Sequence, residues 1–303
     1  MDIRFKRGNG GEGIFLEAYE IEPVRQKPSI PRVQALLLVA TVFTTMVAGA
    51  MQAGVNPFSD PLQIYRGIPF SATLLTILGV HEMGHYFTSR KWGVRATLPY
   101  FIPAPSFIGT FGAIIRLKSQ IPNRKALVEI GAAGPISGFI LAVLASIIGL
   151  GLSPVVKTSE LAGGISLGGS ILFSFLTRFV VGEVPTGHDV LLHPMAFAGW
   201  LGMFVTALNL LPVGQLDGGH IVYSLFGKYH SLIAKLTVLI LLPLGLMWPG
   251  WFFWAMLAML FGTRHPPPFD SYTPLDENGK ILGYIAIGIF VLSFMPVPFR
   301  GGF

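Results

Sequence analysis

The stretch ILGVHEMGHYFTSRKW, residues 77–92, places three ionisable side chains, His81, Glu82 and His85, within an apolar run. Such groups are costly to bury in hydrocarbon, and where they occur in membrane segments they usually have a function. On a helix His81 and His85 are one turn apart on the same face, so both imidazoles can reach one metal ion. Glu82 lies beside them, close enough to contact a water on that ion without being a ligand. The spacing is the His-Glu-x-x-His signature of zinc hydrolases.

The composition of the whole chain indicates a membrane protein. Of its 303 residues, 52% are hydrophobic and only 12% are charged, about half the charged fraction of an ordinary soluble domain. Several apolar runs approach the roughly 20 residues that cross a bilayer as a helix. We therefore predict an all-α polytopic membrane protein with about six transmembrane helices. The predicted spans are 33–54, 68–89, 126–152, 194–212, 231–262 with an interruption at Pro249-Gly250, and 281–297.

Two polar segments flank the first spans. Residues 1–32 are predicted to form a cytosolic N-terminal tail or small cap, followed by a membrane domain over 33–303. Between the second and third spans, residues 109–119 carry β-branched and aromatic residues in partial alternation, which favours a small membrane-associated β element. Residues 165–182 are apolar but contain Arg178, and we expect them not to cross the membrane.

The basic residues predict an orientation in the membrane. The net charge of +6 could suggest nucleic acid, but the basic residues flank apolar runs, so we predict a lipid bilayer and no nucleic acid as partner. Lys and Arg are concentrated in 1–32 and 90–125, whereas 55–67 holds only Arg66. The N-terminus is then cytosolic, and the first three spans run outward, inward and outward. The first 30 residues have the features of neither a signal peptide nor a transit peptide.

A catalytic zinc site needs a third protein ligand. The chain contains no cysteine, so that ligand must be His, Asp or Glu. Asp217 reaches the side of the two histidines if span 194–212 runs from outside to inside, whereas 183–193 should lie on the opposite side. The candidates near apolar segments are Glu129, Glu183, His188, Asp189, His193, Asp217 and His220.

Two motifs together carry a family resemblance. HEMGH (81–85) and NLLPVGQLDGG (209–219) resemble the site-2 protease family of intramembrane zinc metalloproteases. The second motif of that family reads Asn-x-x-Pro-x-x-x-Leu-Asp-Gly, and every fixed position is matched here. GAAGPISGF (131–139) is similar to the Gly-Pro segment on the family's central helix. The resemblance covers a catalytic core of about 68–226 and is closest to the prokaryotic and plastid branch, without a PDZ module.

The resemblance implies a site, a cofactor and partners. One Zn²⁺ would be held by His81, His85 and Asp217, with Glu82 as the general base and Asn209 binding the substrate backbone or oxyanion. The substrates would be transmembrane proteins, cleaved in or near their membrane segments. Apart from the resemblance, we expect the cleaved segment to unwind locally, because a helix hides its peptide bonds, and a strand in 109–119 to pair along the unwound backbone. The location would be a prokaryotic plasma membrane or, alternatively, a plastid membrane.

Other interpretations stay open at this point. A membrane protease of the prenyl-protein-processing type also uses His-Glu-x-x-His, with a downstream Glu as the third ligand. A zinc transporter could line an ion path with His and Asp, and a relative that has lost activity could bind metal without proteolysis. For His193 and His220 the simpler interpretation is a structural hydrogen bond, and for Glu129 it is an ion pair with a base such as Lys125.

Overall fold

The structure is a computed structural model that describes residues 2–7, 14–19, 31–161 and 166–300. The chain divides into two compact units, Met1–Arg32 and Val33–Phe303. In the first unit, β1 (Asp2–Arg7) pairs antiparallel with β2 (Ile14–Tyr19).

The second unit consists of helices with a few short strands between them. Its elements in chain order are α1 (Arg32–Gln52), α2 (Ile68–Lys91), β3 (Tyr100–Pro103), β4 (Thr110–Ile114), α3 (Arg124–Gly151), β5 (Val155–Lys157), β6 (Ser166–Leu167), α4 (Ile171–Val180), β7 (His188–Val190), α5 (Pro194–Asn209), α6 (Asp217–Phe226), α7 (His230–Met247), α8 (Gly250–Phe261), α9 (Glu277–Ser293) and β8 (Phe299–Arg300). Besides the predicted β element, two-stranded pairs β5–β7 and β6–β8 are present, so the all-α description omits these small sheets.

Helices α2, α3 and α5 form the centre of the bundle. Helix α5 lies almost entirely inside it, and its Trp200 is fully buried with the indole N–H donating to the Gly168 carbonyl at 2.7 Å. A side chain at Gly149, near the end of α3, would collide with Ala196 at the start of α5. The two helices are therefore antiparallel, and α5 runs in the same direction as α2, as the argument from span parity requires.

Three helical stretches among the described residues are long and apolar enough to cross a membrane: Arg32–Gln52, Arg124–Gly151 and Asp217–Met247. Helix α2 has 24 residues but carries the polar site, and α5 and α9 have 16 and 17, fewer than a full crossing usually needs. The count of six spans stays a prediction. Helix α4 has only 10 residues, about 15 Å, so the segment around Arg178 is too short to cross as a helix, as predicted.

The apolar stretch 231–262 is broken where its Pro-Gly pair lies. Helix α7 ends at Met247 and α8 begins at Gly250. The two helices pack closely, because a side chain at Gly245 would meet the ring of Phe252. The predicted interruption at Pro249-Gly250 is confirmed, and the chain reverses direction there.

A β-hairpin joins the second and third helices of the bundle. Strands β3 and β4 are antiparallel, with Tyr100 opposite Ile114. The hairpin is fixed to α1, because the Thr44 hydroxyl donates to the Gly109 carbonyl at 2.6 Å. Gly109 has φ +80° and no room for a side chain beside Thr44. The predicted β element is confirmed.

Polar contacts tie together the helix ends near Lys91. The predicted ion pair of Glu129 with a nearby base is present, but the base is Lys91 and not Lys125. The Glu129 carboxylate accepts from Lys91 at 2.8 Å and from the Trp92 indole at 2.9 Å. Lys125 instead pairs with Asp276 at 2.6 Å. Lys91 and Trp92 lie at the end of α2, and Glu129 lies in the first turns of α3. The ends of these two helices meet, so the ion pair joins α2 to α3 instead of two residues of the same helix.

Candidate metal centre

The two histidines of α2 face the glycine-bearing side of α3. Added side chains at Gly134 and Gly138 would lie 2.1 Å from the His85 ring and 3.0 Å from His81 Cβ. Only residues without a side chain allow the helices to approach this closely, which gives the GAAGPISG segment a structural role. His81 and His85 are 5% and 6% exposed. The His85 Nδ1–H donates to the Ile130 carbonyl at 2.7 Å, which fixes the ring and turns Nε2 toward the cavity.

Asp217 reaches the histidines through a tight connection between α5 and α6. Residues 210–216 fold back over the start of α6, because a side chain at Gly218 would lie 2.0 Å from the Leu210 carbonyl oxygen. The Asp-Gly pair therefore does more than mark a turn. It lets the loop close tightly enough to place Asp217 at the first position of α6.

Three ligand atoms converge on one point. His81 Nε2 and His85 Nε2 are 3.2 Å apart, and Asp217 Oδ2 lies 3.4 Å from the first and 3.3 Å from the second. In a tetrahedral site with zinc bonds of about 2.0–2.1 Å, two ligand atoms are about 3.3–3.5 Å apart. The triangle therefore has the size that such an ion requires. Among the described residues, this is the group of three His, Asp or Glu side chains that could hold a metal.

Two further polar side chains border this group. The Glu82 carboxylate is 7% exposed and lies 4.0 Å from His81 Nε2, beside the triangle and outside it. The Asn209 amide nitrogen is 3.3 Å from the same His81 atom. Asn209 is the last residue of α5, and its position brings the second motif into contact with the first.

The site opens into a cavity of about 230 Å³. One wall consists of β4 and the residues after it, including Ala113, Ile114 and Leu117. Ile115, the residue after β4, lines the same cavity as Glu82. His220, on α6, lines the same cavity. His220 was one of the candidate ligands, with a structural hydrogen bond as the simpler interpretation. That hydrogen bond is present, to His265 at 2.6 Å. The position of His220 three residues after Asp217 on one helix face also brings it to the cavity.

The remaining candidate ligands lie elsewhere. His193 accepts from the Met195 N–H and begins α5, at the end of the helix opposite Asn209. Glu183 forms an exposed ion pair with Arg178. His188 and Asp189 belong to the small β5–β7 sheet, which follows the far end of α3. None of these four residues is in the three-residue group.

Two histidines and an aspartate that converge beside a buried glutamate, in a chain with apolar helices, form a candidate metallohydrolase centre. Residues 69–246 match the family model "Peptidase family M50". That match covers more than half of the chain, and the chain belongs to peptidase family M50. The resemblance to site-2 proteases is thereby confirmed.

Similar proteins come from plants. "Probable zinc metalloprotease EGY2, chloroplastic" of Arabidopsis thaliana is 28% identical over 268 residues, which are 87% of this chain and 48% of the relative. "Probable zinc metalloprotease EGY1, chloroplastic" of the same plant is 34% identical over 254 residues, 80% of this chain and 44% of the relative. "Probable zinc metallopeptidase EGY3, chloroplastic" is 30% identical, over 89% and 52%. The chain spans about half the length of these relatives.

Proposed function

We propose that this protein is an intramembrane zinc metalloprotease that hydrolyses peptide bonds in or near transmembrane segments of membrane proteins. The observation that carries the proposal is the convergence of His81, His85 and Asp217 on one point, with Glu82 beside it, in a cavity between membrane helices. The family match and the relatives named zinc metalloproteases support it.

His81, His85 and Asp217 would hold the zinc ion through two neutral imidazole nitrogens and one carboxylate oxygen. Zinc, when bound, supplies a water nucleophile near neutral pH and polarises the peptide carbonyl. The protein fixes the ligands in advance: the Ile130 carbonyl orients the His85 ring, and α3 packs against both imidazoles. Such preorganisation leaves little reorganisation for the moment of reaction.

Glu82 is the proposed general base. Its carboxylate lies within 4.0 Å of His81 Nε2 but is not part of the ligand triangle. It is therefore free to take the proton of the attacking water on a carboxylate oxygen and to deliver that proton to the nitrogen of the leaving amine. Its near-complete burial shields this transfer from bulk water.

Asn209 is the proposed donor to the substrate. Its side-chain amide is in the cavity, next to His81. A neutral N–H donor at that place can hydrogen-bond the oxygen on which negative charge develops during attack, or a backbone carbonyl of the substrate.

Strand β4 is the proposed guide for the substrate. A transmembrane helix hides its peptide groups in internal hydrogen bonds, so the scissile region must unwind. Among the described residues β4 pairs only with β3 and keeps one edge unpaired. Residues of β4 line the cavity of the candidate metal centre. An unwound segment pairing along that edge would pass beside Glu82.

The chain is a membrane protein with several apolar helices. We propose that residues 33–303 form the metalloprotease domain, with its core at 68–226, about six spans and a cytosolic N-terminal segment 1–32. The chloroplastic names of the relatives favour the plastid alternative over a prokaryotic plasma membrane.

Metal analysis combined with a cleavage assay tests this function. The purified protein, reconstituted in nanodiscs, is expected to contain one zinc per chain and to cleave members of a panel of transmembrane peptides. The variant Glu82→Gln is the negative control, which should not cleave them. A protein that binds zinc, cuts no peptide and moves zinc across vesicle membranes would be a transporter, and the proposed function would be wrong.

A further inference from the structure

His220 lines the cavity of the metal centre but is not one of the three converging ligands. We propose that His220 is a substrate-binding residue whose Nε2 accepts a hydrogen bond from a backbone N–H of the bound peptide next to the scissile bond. His265 is the positioning residue that holds His220 in the required tautomer. This inference rests on the proposed proteolytic function and names a further residue of the same site.

The position of His220 is set by its helix neighbours. It follows Asp217 by one turn of α6, so both side chains lie on the same face. A side chain at Gly131 of α3 would approach His220 Cβ at 2.9 Å, and the Asp217 carbonyl at 3.4 Å. Gly131, the first glycine of α3, therefore makes room for this imidazole, as Gly134 and Gly138 do for His85 and His81.

A chain of hydrogen bonds fixes the protons on the two rings. His265 Nδ1 is 2.6 Å from the Pro266 carbonyl oxygen, which can only accept, so Nδ1 carries the proton. In a neutral ring His265 Nε2 is then an acceptor. It lies 2.6 Å from His220 Nδ1, which must be the donor. The unprotonated nitrogen of a neutral His220 is therefore Nε2, and among the described residues it has no hydrogen-bond partner.

The surroundings keep His265 neutral. Burial lowers its pKa to about 3, with a smaller contribution from His220. Its ring stacks on Tyr223 at 4.6 Å between centroids and meets the edge of His230 at 5.6 Å. The loop that carries His265 is anchored to the segment before α3, because the N–H of Phe269 donates to the Ile121 carbonyl at 3.0 Å.

An unwound substrate needs acceptors for its exposed N–H groups. In a site with little water an unpaired backbone N–H is costly. A neutral imidazole nitrogen can accept such an N–H without adding a charge to the site. Because the hydrogen bond to His265 keeps the Nδ1–H in place, Nε2 stays available for that purpose instead of carrying the proton itself.

Matched substitutions separate the acceptor from the bulk of the ring. The variant His220→Gln keeps a side-chain amide oxygen near the position of Nε2. In His220→Asn the shorter side chain brings its amide only to the position of Nδ1. We expect His220→Asn to lower kcat/KM for a transmembrane peptide about tenfold, the effect of one lost hydrogen bond. His220→Gln should stay within about threefold of the wild type. Both variants should retain one zinc per chain.

A second pair of variants tests the positioning role. His265→Gln can still accept from His220 Nδ1–H, whereas His265→Phe keeps the stacking on Tyr223 but offers no acceptor. Nitrogen-15 NMR of histidine-labelled protein in nanodiscs should show His220 protonated at Nδ1 in the wild type and in His265→Gln. In His265→Phe we expect a mixture of tautomers and a several-fold lower kcat/KM that His265→Gln restores.

The outcomes distinguish this inference from the function on which it rests. A wild-type protein that binds zinc but cuts no transmembrane peptide would overturn the proteolytic function, and the role of His220 with it. A wild type that cuts, with His220→Asn cutting equally well, would overturn only the role of His220. Loss of zinc in His220→Asn would make His220 a metal ligand, and an unchanged tautomer in His265→Phe would remove the role of His265.

Discussion

Two groups of ionisable side chains meet at the cavity, which His220 of the second group lines together with the first, and they are arranged in opposite ways. His81, His85 and Asp217 direct their ligand atoms toward a common point, at separations of 3.2–3.4 Å. His220 and His265 face each other nitrogen to nitrogen at 2.6 Å, with the imidazole of His230 packed at the edge. The first arrangement suits a cation, and the second suits a hydrogen bond.

The contrast shows that residue type alone does not identify a metal site. Both groups are rich in histidine and both contain buried rings. What distinguishes them is the use of the second ring nitrogen. In His85 that nitrogen donates to the Ile130 carbonyl and frees Nε2 for an ion, whereas in His265 both nitrogens are engaged by protein groups. Four substitutions test the difference between the two groups.

The largest expected effect is the loss of Asp217. Asp217→Ala removes one of three ligand atoms, and we expect zinc to be lost on dialysis against a mild chelator, with no cleavage left. Asp217→Asn should behave similarly, because an amide is a much poorer zinc ligand than a carboxylate. Zinc per protein is measured by elemental analysis, with Glu129→Ala and His220→Ala as variants that keep the metal. If Asp217→Ala kept its zinc and His220→Ala lost it, His220 and not Asp217 would be the third metal ligand.

Glu82→Gln should separate metal binding from catalysis. The amide is nearly the same size but cannot take up a proton, so cleavage should fall by about a hundredfold or more while zinc stays at one per chain. The assay is turnover of a transmembrane peptide at matched zinc content. Turnover close to that of the wild type would assign the general base to another residue.

Gly134→Ala tests the space that the metal ligands need. The new methyl group would lie 2.1 Å from His85 Nε2, so the ring must move and zinc affinity should fall by at least tenfold. Gly79→Ala on α2 is the matched control, because its methyl group would meet only the Phe101 ring, at 3.6 Å. Both changes raise helix propensity equally. Equal zinc affinity in the two variants would show that the close packing of α3 is not required.

The smallest effect is expected at His230. Its side chain is 2% exposed, and within the described part of the chain its Nε2 has no hydrogen-bond partner. Replacement by Leu removes an unsatisfied polar atom, so the stability should stay equal or rise by about 1 kcal/mol. Zinc content and cleavage should be unchanged. Thermal unfolding in nanodiscs is the measurement, and a clear loss of stability would indicate a hydrogen bond that the ring makes elsewhere.

Local spacing in the sequence predicted the positions within single helices. The four-residue spacing of His81 and His85 and the break at Pro249-Gly250 follow from helix geometry, and the structure has both. The β element between α2 and α3 follows from alternation and glycine. Asp217 could be placed near the histidines because the directions of successive spans alternate.

Contacts between distant segments could not be predicted in this way. The partner of His220 is 45 positions away, in a loop whose path is decided by the packing of the helices around it. The partner of Glu129 is likewise on another helix, because the ends of α2 and α3 meet there. The number of spans is not fixed by the length of apolar runs, because helices inside a bundle can be shorter than the bilayer is thick.

The glycines of α3 have a consequence for how the protein folds. Gly131, Gly134 and Gly138 each lower the intrinsic stability of the helix by about 1 kcal/mol relative to alanine, and Pro135 removes a further backbone hydrogen bond. The helix against which all three cavity histidines pack is thus a poor helix former by itself. It is stabilised by its neighbours and by the bilayer, which penalises unpaired backbone groups. The candidate metal centre should therefore form only once α3 is packed against its neighbours.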